Sequence, residues 1–212
     1  GASELGERLL ALADRDPDEV IRIMTGAEGD RPVSASRALG ISLRMVGRVT
    51  EALSVFDEAV DDARSDGDTR SEALTRLSRS SVLFMSGRME DGAADLDHAL
   101  AHLVGPDRGV AVFQRAQYLD VVDDPAALET FDEAVALLTG VVGYDKYLGH
   151  ALANRGIHHS THGRLALADA DLAAARAIWT AAGLEALAST ALHNIGHVAA
   201  SRGADVSAID HF

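Results

Sequence analysis

A cadence of Gly-Arg pairs constrains this chain more than any other feature of it: Gly47-Arg48, Gly87-Arg88 and Gly163-Arg164. Adding Gly203, and Val122 where the flanking pattern places it, gives reference positions at 47, 87, 122, 163 and 203, spaced 40, 35, 41 and 40. A recurring period of this length marks a repeat architecture, and missing it misassigns the whole fold. Five residues after each reference stand Ala52, Gly92, Ala127, Ala168 and Ala208, and nine after stand Phe56, Leu96, Phe131, Leu172 and Phe212. Twelve after stand Ala59, Ala99, Ala134 and Ala175. Seven before stand Gly40, Ser80, Arg115, Gly156 and Gly196, and four before stand Leu43, Leu83, Tyr118, His159 and Ala199. Residues 51–60 (EALSVFDEAV) and 126–135 (AALETFDEAV) nearly coincide.

Offsets of five, nine and twelve share one helical stripe, since steps of four and three return to the same face. The stripe is small, large, small. Each unit therefore reads as two antiparallel helices around a turn, with small residues where the backbones come closest. The turn glycine can take a positive φ, which ends the first helix. An aromatic content of only 4% agrees with a core of Ala, Leu and Val between closely spaced helices. The predicted helices are 4–14, 17–27, 33–46, 49–66, 69–86, 89–103, 107–121, 125–140, 145–162, 165–182, 185–202 and 204–212, with no strand. Pro17, Pro106 and Pro125 sit at helix starts, where proline is tolerated.

These columns resemble the tetratricopeptide repeat over roughly residues 33–212. The resemblance implies an all-α, right-handed superhelical solenoid of antiparallel helix hairpins. Two features depart from that family. The period is near 40 rather than the usual ~34, so the helices should be about a turn longer. The closing proline is replaced by Arg64, Val104, Thr139 and Thr180. Residues 1–30 are expected to form a leading helix pair or degenerate repeat, because Asp16-Pro17 resembles Asp124-Pro125. Aligning those prolines puts Leu10, Ile23 and Gly26 on the bulky, bulky and small columns. Residues 31–212 would then hold about five units, the last incomplete at Phe212, as in a fragment of a longer chain.

A narrower resemblance rests on Ala11-Leu12-Ala13-Asp14-Arg15-Asp16-Pro17, Arg37-Ala38-Leu39-Gly40, Val46-Gly47-Arg48, Gln114-Arg115-Ala116, Ala153-Asn154-Arg155-Gly156 and Leu192-His193-Asn194-Ile195-Gly196. Together these runs resemble the N-terminal repeat region of actinobacterial CHAT-type proteins. In those proteins the array precedes a caspase-like His/Cys peptidase domain. A single Lys (Lys146) against 18 Arg fits a GC-rich genome. The resemblance implies that any catalytic block lies outside these residues, since a chain with no Cys cannot carry that nucleophile.

The formal charge of −14 argues against a nucleic-acid partner and against anionic membrane. No apolar run is long enough to span a bilayer, and a cytoplasmic location is expected. His98/His102, His158/His162 and His193/His197 are i, i+4 pairs, a spacing used by zinc helices. None lies in an HExxH sequence and no third or fourth ligand is evident, so they are expected to be surface or core histidines. Asp61-Asp62, Glu90-Asp91 and Asp123-Asp124 read as solvated or capping carboxylates near helix ends. Phosphate-binding glycine loops are absent. No cofactor, metal or catalytic residue is expected, and the chain is not expected to be an enzyme.

The repeat resemblance places ligand-facing positions ten, six, three and two residues before each turn. The candidates are Arg37, Ile41, Arg44 and Met45; Leu77, Ser81, Phe84 and Met85; Ala116, Leu119 and Asp120; Ile157; and His193 with His197. Such a concave face would hold a protein or peptide, or pack on a C-terminal domain of the same chain. The expected function is a protein-interaction scaffold, the regulatory or sensor arm of a larger protein of CHAT type. Alternatives are a repeat module of a bacterial transcriptional regulator, or a metal-dependent hydrolase using the paired histidines.

Overall fold

A computed structural model describes residues 2–26 and 31–209, with side chains for 4–26 and 31–200. Among the described residues the chain is all-helical, with no strand. The helices are α1 (Ala2–Ala13), α2 (Pro17–Thr25), α3 (Val33–Met45), α4 (Val49–Ser65), α5 (Thr69–Met85), α6 (Met89–His102), α7 (Gly105–Val121), α8 (Ala127–Leu138), α9 (Asp145–Thr161), α10 (Leu165–Ala181) and α11 (Glu185–Ile209). They form two compact units, Gly1–Val104 and Gly105–Phe212. In the first, α1 and α2 pack on α3, α3 pairs with α4, and α5 pairs with α6. In the second, α7 pairs with α8, α9 with α10, and α10 with α11. The leading pair α1–α2 lies within the first unit, against α3.

The Gly-Arg signal has a local explanation. Gly47, Gly87 and Gly163 hold φ of +80°, +75° and +71°, a region that costs other residues a Cβ clash. The next residue's N–H then reaches back over the helix end: Arg48 to Leu43 O at 2.8 Å, Arg88 to Leu83 O at 2.9 Å, Arg164 to His159 O at 2.8 Å. Two of these arginines also start the following helix by pairing with its first-turn acid. Arg48 Nε donates to Glu51 at 2.7 Å and Arg88 Nε to Asp91 at 2.7 Å. Gly67 and Gly183 make equivalent turns at φ +69° and +72°. Helices α4, α5, α9 and α10 each have 17 residues. Seventeen residues and a three-residue turn account for the spacing near 40.

The small–large–small stripe is buried throughout the first four units. Ala52, Phe56, Ala59, Leu96, Ala99, Phe131, Ala134, Ala168, Leu172 and Ala175 are all 0% exposed. Gly40 and Gly156 are small because the large residue lies on them. A Cβ on Gly40 would stand 2.7 Å from the Phe56 ring, and one on Gly156 would stand 3.1 Å from Leu172 Cγ.

Three expectations need correction. The third turn residue is Asp123 (φ +56°), not Val122. Asp124 N–H closes the turn onto Leu119 O at 2.8 Å. The first-helix columns there shift by one, so buried Ala116 rather than Arg115 is the small residue, while Ala127, Phe131 and Ala134 keep their places. Gly203 is not a turn, because α11 runs through it. Its neighbours Ala199, Ala200 and Ala204 favour helix, and one interior glycine costs only about 1 kcal/mol. Gly196 has open space where a packed helix would stand, and Phe212 lies outside the described residues. In the leading pair, Val20, Ile21 and Met24 are buried, while Ile23, expected on a bulky core column, is 36% exposed.

One packing device recurs at an offset of 76. In the first unit Arg79 of α5 donates to Asp95 of α6 at 2.6 and 2.7 Å, and to Asp57 of α4 at 2.6 Å. In the second, Arg155 of α9 donates to Asp171 of α10 at 2.8 and 2.7 Å, and to Asp132 of α8 at 2.7 Å. Asp95 and Asp171 are buried, and they hold both guanidinium pKa values above the ordinary arginine range. Each arginine ties its own hairpin to the preceding helix.

Candidate binding surface

Within the first unit, first helices α3 and α5 touch side by side, with α4 packed on both. Within the second, α7 touches α9, and α9 touches α11. Residues near the C-terminal ends of these helices therefore share a face within each unit.

The candidate residues do not all reach that face. Arg37, Ile41 and Arg44 are half-buried on α3, and Met45 is 45% exposed. On α5, Met85 is 60% exposed and Ser81 half-buried. Leu77 is buried and cannot line a surface; Phe113 and Ala153, ten residues before their own turns, are buried too. Phe84 is half-buried with its ring over Gly92, where a Cβ would stand 2.5 Å away. Its role is to pack α5 on α6. Ala116 is fully buried on the small column, and Leu119 is half-buried. With the turn at Asp123, the offsets of six, three and two fall on Gln117, Asp120 and Val121, and Val121 is 75% exposed. Ile157 on α9 is exposed, as are His193 and His197 on α11. The position two before the turn thus carries exposed Met45, Met85 and Val121 in three successive repeats.

Asp120 has a different engagement, which was not legible in the sequence. His158 Nδ1 lies 2.6 Å from its Oδ1, joining α7 to α9. The His158 ring packs on Phe131 of α8 at 6.2 Å and beside His162 at 4.1 Å. A cavity of about 340 Å³ opens here, lined by Asp120, Asp123, Asp124, His158, His162 and Arg164 among others. Gln117 Nε2 also reaches Asn154 Oδ1 at 3.5 Å, a second contact between α7 and α9.

In two of the three histidine pairs the second ring lies against backbone. The Nδ1 atoms of His102 and His162 each lie 2.8 Å from the carbonyl four residues earlier, that of His98 and His158. Those nitrogens are occupied. Among the described residues no group of three His, Cys, Asp or Glu could hold a metal ion. His159 is buried on its bulky column, and burial pulls its pKa below the ordinary 6.5, with Asp171 acting in the opposite direction. His98 is likewise lowered by burial, and then by the Arg76 charge. Of the carboxylate pairs, Asp61 binds Arg64 at 2.8 Å, Asp91 binds Arg88, and Asp124 accepts the Ala126 N–H at 2.9 Å. Among the described residues no helix is long and apolar enough to cross a membrane.

No family model matches this sequence, and no curated protein matches it. Among solved structures, the crystal structure of BtubC (BKLC) from P. vanneervenii is similar, with a TM-score of 0.57. The alignment covers 93% of this chain and 92% of that one, at 16% identity. The likeness is one of fold, and it agrees with an all-helical, repeat-like architecture.

Proposed function

We propose that this chain is a non-enzymatic protein-interaction scaffold, a tetratricopeptide-like solenoid whose first helices hold a protein or peptide. The observation that carries this reading is the pair of exposed apolar residues two before the turns of the first unit, Met45 and Met85. A folded chain with 25% charged residues has ample polar side chains for such positions, so apolar residues recurring there need a reason. Methionine suits a surface that adapts to its ligand. The finer reading, a regulatory arm of a CHAT-type protein acting in the cytoplasm, is supported by the runs around Arg37, Gln114, Asn154 and Asn194.

The test is site-specific photo-crosslinking in extract of the host cell. A photoreactive side chain at Met85 should capture a discrete partner. The same group at Glu58, exposed on α4, should not. Met45→Asp should weaken capture from Met85 without lowering helicity. Equal capture from both positions would place binding elsewhere and defeat the proposal. The arm of a CHAT-type protein is tested by the reading frame that encodes the chain, which should include a His/Cys caspase-like block.

A further inference from the structure

The α1–α2 hairpin presents a second surface, separate from the face of the first helices. Helix α1 divides cleanly by face. Gly6, Leu9 and Ala13 turn inward: Leu9 and Ala13 are buried, and a Cβ on Gly6 would collide with Ser34 of α3. Leu5, Arg8, Leu12 and Arg15 follow at steps of three, four and three, which places them on one stripe of the helix and its extension. With Leu9, Ala11 and Ile23 they line a groove of about 440 Å³. Leu5 is 45% and Ile23 36% exposed, so the groove floor is apolar and open to solvent.

Its charge runs against that of the chain. Arg8 and Arg15 are both exposed, and neither has an ion-pair partner among the described residues. Several other arginines of the first unit are engaged, Arg22 by Glu19, Arg48 by Glu51, Arg64 by Asp61 and Arg79 by Asp95, while Arg31 and Arg44, like Arg8 and Arg15, have no ion pair among the described residues. Glu4 stands one turn before Arg8, but neither it nor Glu7 or Asp14 lines the groove, whose charged residues are Arg8 and Arg15. In a chain of −14, two unpaired guanidiniums alternating with leucines form a local site for negative charge.

We infer that this groove docks an amphipathic helix of a partner protein, one whose apolar stripe is interleaved with carboxylates. The three–four–three spacing is that of two helices packing along each other, knob against hole. Leucines of the partner would lie on Leu5, Leu12 and Ile23, and its carboxylates would meet Arg8 and Arg15. A second copy of this chain fits poorly. A two-fold contact sets the same patch against itself and would bring four guanidiniums together.

The probe is a synthetic four-turn helical peptide with leucines and glutamates alternating at that spacing, titrated against the full chain by fluorescence anisotropy. A matched peptide carries lysine for each glutamate. The acidic peptide should bind and the lysine peptide should bind about tenfold more weakly, since two charge pairs turn from attraction to repulsion. The Arg8→Glu/Arg15→Glu variant should reverse that order, and circular dichroism should find it as helical as the parent because both side chains are exposed. Equal binding of the two peptides, no binding of either, or an order unchanged in the variant would overturn the inference. Sedimentation of the chain alone covers the other occupant. A dimer that the same variant dissolves would assign the groove to a second copy and overturn it too. None of these readouts involves Met45 or Met85, so a failure here leaves the scaffold proposal standing.

Discussion

The third turn provides a test in which two adjacent substitutions should act differently. Asp123 holds φ +56° at the place taken by glycine in the turns at 47, 87 and 163. A left-handed backbone costs a residue with a Cβ about 1–2 kcal/mol, and Asp falls toward the lower value. Replacing it with glycine removes that cost and adds about 0.5–1 kcal/mol of unfolded-chain entropy. Asp123→Gly should therefore be neutral or gain up to about 0.5 kcal/mol. No side-chain hydrogen bond or ion pair of Asp123 is lost among the described residues. Val122 has an ordinary negative φ and is 47% exposed, so Val122→Gly incurs the entropy term and gives up some burial, a loss of about 1 kcal/mol. The assay is urea unfolding followed by circular dichroism, reading the midpoint while the slope stays constant. Asp123→Asn is the control, since it keeps the left-handed tolerance and removes only the charge beside Asp120 and Asp124. If Asp123→Asn gains as much as Asp123→Gly, charge relief is the cause. If Asp123→Gly destabilises or Val122→Gly stabilises, the turn has been assigned to the wrong residue.

Three further outcomes are expected. Phe131→Ala should cost about 3–5 kcal/mol in the same unfolding assay, because a fully buried aromatic leaves a cavity between closely packed helices; a parent-like midpoint would mean the stripe is not core. Arg155→Ala should cost about 3 kcal/mol by leaving Asp171 buried without its guanidinium, and Asp171→Ala in addition should recover much of that. Additive losses in that cycle would show that the pair is not coupled. Acidification should weaken the fold through His98 and His159. Both are held below 6.5, so as pH falls through 6.5 the unfolded chain takes up protons first, and stability is lost until the folded pKa values are passed. His159→Leu, matching Leu43 and Leu83 on the same column, should shrink the difference in unfolding midpoint between pH 8 and pH 5.5.

The repeat columns made the helices legible because each column reports a steric requirement that the structure meets locally: positive φ at Gly47, close approach at Gly40, a filled gap at Phe56. Where the requirement was met by another residue type, the reading slipped. Asp123 tolerates the left-handed turn without being glycine, so the glycine pattern places the reference one residue early, at Val122, and Ala116 on the ligand-facing offset instead of the buried small column. Gly203 has the right residue and spacing but lacks the arginine that follows at 47, 87 and 163. The surface was the least legible part. Phe84 and Leu77 stand at ligand-facing offsets of the repeat, yet their packing depends on the small Gly92 and on the length of α5, which single columns do not encode. The Asp120–His158 contact joins α7 to α9 and leaves no periodic trace. The arginine clasps could have been seen, since Arg79 with Asp95 and Arg155 with Asp171 share a spacing of 16 and recur after 76 residues.

The clasps also bear on how a repetitive core finds one register. A small–large–small stripe offers similar alignments to any neighbour sliding by two helical turns, because Ala52 and Ala59, or Ala127 and Ala134, present similar surfaces. Apolar burial alone discriminates weakly between such alignments. A buried ion pair discriminates strongly, because an uncompensated charge in the core is costly while the correctly formed pair is close to neutral in net stability. Arg79 is held by buried Asp95 on α6, so a slip of that helix strands a charge, whereas its other partner, Asp57 on α4, is exposed. Arg155 places the same constraint on α10 through Asp171. Replacing Arg155 and Asp171 with apolar residues of similar size should then preserve the unfolding midpoint. It should also broaden amide hydrogen exchange in α9 and α10, as alternative registers become populated. Retained sharp protection across those helices would show that the stripe alone sets the register.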